Sequence, residues 1–475
     1  MMPRIRRSRR KALLATTLAA LTFVGASFLP RSSRADDLTA TPSGDLNVPP
    51  VKIVDTKLPN GLRVLIVVDH TAPVYAIDVC YNVGSRNERP GRTGFAHLFE
   101  HMMFEGSENV GKGEHFILVF NNGGNMNGTT NEDRTTYFEE LPTNQLDLGL
   151  YLEADRMKAL TITQDKLDNQ RNAVQEERRL GVDNEPYGKA EVDLGNLAYD
   201  NFSYKHSTIG SMADLDAASI DDVRDFFRIY YAPNNAVLTL VGDLDPDATL
   251  EKVKKYFASI PSQAIPPAPD LNEETHYGER REVIYDQLAR VPQISMAYRI
   301  ARGNTPENRA ARALALILGQ GRSSRLYQHL IKEKQLAIRV SSFADGRIGP
   351  SLLYINATPR PGVKVEDLQK AIDEEIATLK KDGVTAAELS KAKAILRRQY
   401  IQTRASDLRM AVTMGDFAVK FNDPELINTL DAGYEALTVE QLNEVAKKYL
   451  DRDQRAIVIT LPGQPGAGAA NGGAQ

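Results

Sequence analysis

SIDDVRDFFRIYYAPNNAVLTLVGDL, residues 219–244, is written a second time as TVEQLNEVAKKYLDRDQRAIVITLPG, residues 438–463. In each copy a Ser or Thr (Ser219, Thr438) stands where a helix N-cap side chain accepts a backbone N–H, an amphipathic helical stretch follows, and a β-branched strand closes the unit. Two further pairs keep the same order along the chain. ITQDKLDNQRNAVQEE (162–177) is echoed by VTAAELSKAKAILRRQ (384–399), both capped helices, and APVYAIDVCYNVG (72–84) by RVPQISMAYRIA (290–301), both alternating strands. Such internal repetition points to a duplicated unit. The fold class expected is α+β: two homologous domains of mixed or antiparallel sheet packed with helices. The polar stretch SIPSQAIPPAPDLNEETHYG (259–278), broken by Pro261, Pro266, Pro267 and Pro269, separates them. This gives domains at residues 50–260 and 275–462 with a linker at 261–274.

The ends of the chain read differently. MMPRIRRSRRK is basic, ALLATTLAALTFVGASFL is apolar and uncharged, and Ser33-Arg34-Ala35 fits a small-x-small cleavage site. Residues 1–35 are therefore expected to be an export signal and residues 36–49 a short N-terminal extension. Ser8-Arg9-Arg10 loosely resembles a twin-arginine signal, with Ala12 where that pattern wants a bulky apolar residue. The expectation is an exported, periplasmic protein with no membrane segment in its mature form; retention of the first segment as an anchor is the alternative. That segment holds eight Lys or Arg and no acid, so the net charge of -4 becomes −12 without it (50 basic against 62 acidic residues). Such an acidic surface excludes nucleic acid as a partner. Cys80 is the only cysteine, which rules out an internal disulfide and leaves stability to the cores or to a metal. GQPGAGAANGGAQ (463–475) lacks the large apolar residues that would order it, and a disordered tail is expected.

HLFEH, residues 97–101, sets two histidines four positions apart with Glu100 beside the second. On a helix His97 and His101 share one face and can point at one ion. Two imidazoles are too few for a catalytic zinc, which takes three protein ligands and leaves a fourth position open. A carboxylate must come from elsewhere in the chain. His70, His115, His206, His276 and His329 have no such company and are expected to be surface or packed residues.

His-x-x-Glu-His reverses the commoner zinc-protease order. Together with LPNGLRVLI, GRTGFAHLFEHMMFEGS, NGTTNEDRTTYFEELP, NQRNAVQEERR and GRSSRLYQHLIKEKQLA, it makes nearly the whole mature chain resemble the pitrilysin and insulinase-type inverzincin metallopeptidases. The resemblance implies a zinc endopeptidase acting on peptides or unfolded segments inside a chamber, of which this chain forms half. It implies a third zinc ligand on NQRNAVQEERR, where matching Val174 to the family pattern selects Glu177 over Glu176. It also implies Glu100 as the base that takes a proton from zinc-activated water. The family often has an acid seven residues before the third ligand; here that position is Gln170, a departure. NGTTNEDRTTYFEELP follows the glycine-rich NNGGN as one exposed strand would. In the resembling family this is a sheet edge to which substrate adds by backbone pairing, which puts Asn127, Gly128 and Thr129 nearest the scissile bond.

The second half serves as a control. ARALALILG stands opposite HLFEH and Gln399 opposite Glu177, so that domain is expected to be metal-free. Active members of the resembling family take an Arg and a Tyr, seven apart, from a metal-free domain, and the matching positions in LIKEKQLAI hold Ile331 and Ile338. Neither can donate a hydrogen bond to a developing oxyanion. The resemblance therefore implies a heterodimer with a homologous metal-free subunit that supplies the Arg and the Tyr. The alternative, from a different class, is a non-catalytic scaffolding subunit of the same fold.

Overall fold

β-Branched and aromatic runs build two sheets of one design in the computed structural model, which describes residues 48–463 apart from residues 265, 275 and 276. The expected export signal, nearly all of the N-terminal extension, the tail beyond Gly463 and His276 lie outside the described residues. In the first sheet β1 (Ile53–Lys57), β2 (Arg63–Val68), β3 (Val74–Tyr81), β4 (Asn125–Thr130), β5 (Thr135–Pro142) and β6 (Ala236–Gly242) are ordered β1-β2-β6-β3-β5-β4. In the second, β7 (Arg280–Asp286), β8 (Gln293–Ile300), β9 (Ala337–Ala344), β10 (Ser351–Pro359) and β11 (Arg455–Pro462) are ordered β7-β11-β8-β10-β9. Each sheet has one parallel pair, β2 with β6 and β7 with β11, and is otherwise antiparallel. The α+β class with two homologous halves is the fold the chain adopts. The repeated units occupy equivalent places: β6 and β11 each lie between the parallel partner and the strand that opens the repeat, β3 or β8. Their helices, Ile220–Tyr230 and Val439–Tyr449, both start in a capping box, Ser219 with Asp222 and Thr438 with Gln441.

β3 is buried along almost its whole length, which requires a cover on both faces of the sheet. One face packs on helices of its own half, including Phe95–Met102. The other is covered from the far half: Met410, Ala411 and Met414 of the helix Asp407–Phe421 pack on Leu65, Ala76 and Val237. The second sheet is treated in the same way. Ala190, Leu194 and Ala198 of the helix Gly188–Ala198, from the first half, pack on Ala297, Leu352 and Val458. Each half thus lends a helix to the other's sheet, and the described residues from Pro50 to Gly463 form one compact unit. The proline-rich stretch is held down as well, with the Glu273 carboxylate accepting the backbone N–H of Asn201 at 2.8 Å and pairing with Arg299 at 3.2 Å. No described helix is long and apolar enough to cross a membrane.

NGTTNEDRTTYFEELP is a hairpin, which corrects the single strand expected. Asn131 turns the chain: its Oδ1 accepts the N–H groups of Asp133 (2.8 Å) and Arg134 (3.0 Å), an Asx turn that offers the backbone an alternative to continuing the strand. Of this hairpin only β4 lies at an edge of the sheet, and β5 lies inside it. Asp133 is buried in the turn and accepts from Arg86 (2.9 Å), Tyr204 (2.8 Å) and the Ile348 N–H (2.9 Å) of the second half. The turn rests on Gly84, where an added Cβ would stand 2.3 Å from the Asn131 carbonyl oxygen. Gly84→Ala should displace the hairpin and lower stability by roughly 1–3 kcal/mol, read as a drop in the denaturant midpoint. Gly195→Ala, where a Cβ meets nothing within 4 Å, should leave the midpoint undiminished.

Candidate metal centre

The helix Phe95–Met102 begins at Gly94, which has φ 85 and no side chain with which to cap the first turn. Glu88 caps it from outside. Its Oε2 accepts the Gly94 N–H at 2.9 Å, its Oε1 accepts the Ala96 N–H at 2.8 Å, and His206 Nε2 lies 2.9 Å from the same Oε2. A carboxylate at a helix N-terminus satisfies orphan donors and meets the positive end of the helix dipole. Leu98, Phe99 and Met102 then lock the helix into the first core, which leaves His97 and His101 on the opposite face.

The two imidazole centroids are 4.8 Å apart with their planes at 78°. Glu177 reaches both rings, with Oε1 3.6 Å from His97 Nε2 and Oε2 3.3 Å from His101 Nε2. It projects from the helix Gln164–Arg178, which Thr163 caps and which packs on Phe95–Met102. Glu176 turns away and pairs with Arg179 at 3.0 Å. The ligand atoms offered by His97, His101 and Glu177 all lie within 4.8 Å of one another. Tetrahedral zinc with bonds of about 2.1 Å holds its ligand atoms roughly 3.4 Å apart, so this donor set fits the ion with small adjustments.

The electrostatics fit the same geometry. Burial pushes His97 down to about 4, and the His101 ring close by adds to the shift, against the pull of Glu177. Burial is the largest single influence on His101 and pulls its pKa down, but the hydrogen bond and charge of Glu177, the charge of Glu100 and the hydrogen bond to Gln170 together raise it, while the bond to His101 holds Glu177 below the usual carboxylate range. His101 Nδ1 lies 3.2 Å from Gln170 Oε1, and Gln170 Nε2 donates to Glu105 at 2.5 Å, itself paired with Lys112 at 2.9 Å. The amide that stands where the resembling family often has an acid therefore orients the ring and leaves Nε2 toward Glu177, as outer-shell partners of a ligand histidine do.

Glu100 lies beside this group, next to β4. Burial raises its pKa; Thr130 Oγ1, which donates to its Oε2 at 2.5 Å, opposes that. Gly128 passes so close that a Cβ there would stand 3.2 Å from Glu100 Cγ and Oε1. Asn127, Gly128 and Thr129 all lie on β4, which pairs only with β5. Arg134 Nη1 donates to the Thr129 carbonyl at 2.7 Å and so braces the end of the strand. Thr130, Glu88 and His206 were not singled out from the sequence. Their signal is contact between residues 30 and 118 positions apart, which no local pattern carries. A second His/Glu group, His115, Glu139 and Glu153, is buried under β5. Arg156 hydrogen-bonds Glu153 there, so an internal cation already occupies that cluster. In the second half Ile331 packs against the core and Ile338 is 53% exposed on β9; neither position carries a donor.

Residues 63–211 match the model for Insulinase (Peptidase family M16), and residues 217–396 match that for the Peptidase M16 inactive domain. The zinc protease PqqE of Helicobacter pylori is 33% identical over 409 residues, which span 85% of this chain and 92% of that protein. The chain belongs to the M16 insulinase family. Among solved structures it superposes on a protease from Helicobacter pylori with a TM-score of 0.83 at 32% identity, covering 87% of this chain and 100% of that one. It shares its fold with the first half of the periplasmic protease PqqL from Escherichia coli, with a TM-score of 0.71 at 21% identity over 87% of this chain and 92% of that one. Against intact PqqL the match covers 47% of the longer chain. The half matched by the inactive-domain model is the half without a His/Glu/His donor set among its described residues.

His206 supplies a pH test of the helix cap. Burial pulls its ring down, but the hydrogen bond and charge of Glu88 outweigh this and raise its pKa above the ordinary 6.5. A ring whose folded pKa exceeds the unfolded one contributes stability that is fully present below 6.5 and is lost as pH rises through the folded value. The thermal midpoint should fall across that window, and His206→Gln should flatten the dependence and lower the midpoint at the acidic end.

Proposed function

We propose that this chain is a zinc endopeptidase that hydrolyses peptides or unfolded segments together with a homologous, metal-free partner subunit. The observation that carries the reading is the convergence of His97, His101 and Glu177 from two helices on one point, with Glu100 alongside and a free strand edge next to it. The zinc-protease name of the Helicobacter relative supports it. Zinc, when bound, supplies the Lewis acidity that lets water give up a proton near neutral pH. Glu100 is placed to accept that proton on its carboxylate and to deliver it to the leaving amine, with Thr130 fixing one oxygen so that the other faces the reaction. An extended peptide adds to β4 by backbone pairing, and Gly128, having no side chain, lets peptide and carboxylate approach each other.

The chain's own residues leave the oxyanion incompletely held, because Ile331 and Ile338 offer no donor. The partner we propose supplies an Arg and a Tyr and closes the other half of a chamber. The share of intact PqqL that this fold accounts for, 47%, supports such a two-part assembly. An exported, periplasmic setting rests on the composition of residues 1–35.

Glu177→Gln should lose most of its zinc while Glu176→Gln keeps it, and Glu100→Gln should keep zinc while losing roughly a hundredfold or more in hydrolysis. Metal analysis of protein purified without added zinc, alongside peptide turnover, checks all three; equal zinc in both glutamate variants would remove Glu177 from the centre. The partner reading is tested by assaying this chain, a metal-free homologue bearing the Arg and Tyr, and an equimolar mixture on one unstructured peptide. The mixture should be faster by about a hundredfold to a thousandfold. Full activity from this chain alone, unchanged on mixing, would overturn the division of labour.

A further inference from the structure

Away from the metal centre, a cleft of about 180 Å³ opens where the helices Pro306–Gly319, Asp407–Phe421 and Leu426–Glu435 meet the end of β9. Three cations line it: Arg309, Arg312 and Lys420. Arg312 has no ionic or hydrogen-bonding partner for its guanidinium among the described residues. Arg309 donates only to the neutral amide of Asn304, at 3.3 Å. Lys420 is 12% exposed, and its one carboxylate, on Asp416, lies 3.5 Å away, longer than a good charged hydrogen bond. The hydroxyl of Tyr434 is buried in the lining without a partner.

The two acids of the cleft are already engaged. Asp345 accepts from Arg347 at 2.8 Å and from the Leu352 N–H at 2.7 Å, and Asp416 is shared with Arg134 at 3.3 Å. Positive charge and an unused hydroxyl donor are therefore left over on the same small volume. Fixed guanidinium groups match phosphate and carboxylate oxygens, and a buried hydroxyl left unpaired costs stability until a partner reaches it. We infer that this cleft binds a small oxyanion, with Arg312, Arg309 and Lys420 as its counter-charges and Tyr434 as a neutral donor. The shared chemistry is a phosphate or a carboxylate group. The cleft holds one such group with room for little beyond it.

The test is calorimetric titration of the full chain with inorganic phosphate, and in a parallel arm with N-acetylglycine as a carboxylate, at ionic strength held constant with chloride. Saturable binding of either ligand is expected, weakened about tenfold or more in Arg312→Gln and severalfold in Tyr434→Phe. Both variants should keep the wild-type thermal transition in chloride. The arm that saturates at lower concentration identifies the source of the oxyanion. Absence of saturation in both arms, or binding unchanged in both folded variants, would overturn the inference. Because the readout is binding and not turnover, its failure leaves the peptidase reading untouched.

Discussion

Two N–H groups at the start of the motif helix have no cap of their own, because Gly94 brings no side chain, and each would cost about 1–3 kcal/mol if left buried and unpaired. Glu88 takes both on separate oxygens. The position of His97, Glu100 and His101 follows from that contact, since the first turn of the helix can sit nowhere else once its amides are committed. His206 holds the carboxylate in turn. The candidate metal centre thus stands on a pair of residues that hydrogen-bond neither His97, His101 nor Glu177.

The same dependence runs outward through the edge strand. β4 reaches Glu100 because the Asn131 turn folds the chain back and because residue 128 has no Cβ. Arg134 braces the far end of that strand and also contacts Asp416 on the helix that the second half lends to the first sheet. Geometry beside Glu100 is in this way tied to packing between the halves.

The duplicated helix-strand unit was legible because both periodicities, 3.6 and 2, survive in each copy, and because Ser219 and Thr438 mark the helix starts by local chemistry. The facing of His97 and His101 could be read for the same reason: i and i+4 need no knowledge of the rest of the fold. The Asn131 hairpin was missed because polar residues in NEDR serve equally well on an exposed strand, and only the side chain's bonds to the N–H groups of residues 133 and 134 reveal the turn. Gln170 read as a lost acid, yet it holds His101 through an amide oxygen, a role that depends on a ring from another helix. Glu88 and His206 carried no signal at all, being an ordinary acid and an isolated histidine until the chain brings them to Gly94. The helices Gly188–Ala198 and Asp407–Phe421 were not singled out in the sequence, and periodicity alone does not say which sheet an apolar helix face will cover.

Those two helices cross over, each closing the sheet that the other half of the chain builds. The arrangement resembles two people with linked arms. A single cut in the proline-rich connection between the halves would sever the backbone without freeing either part, since each fragment would still hold a layer that its counterpart needs. Duplication supplied two copies of a unit, and the exchange made them inseparable: neither sheet keeps both its covers without the other half, so the two halves persist or melt as one body.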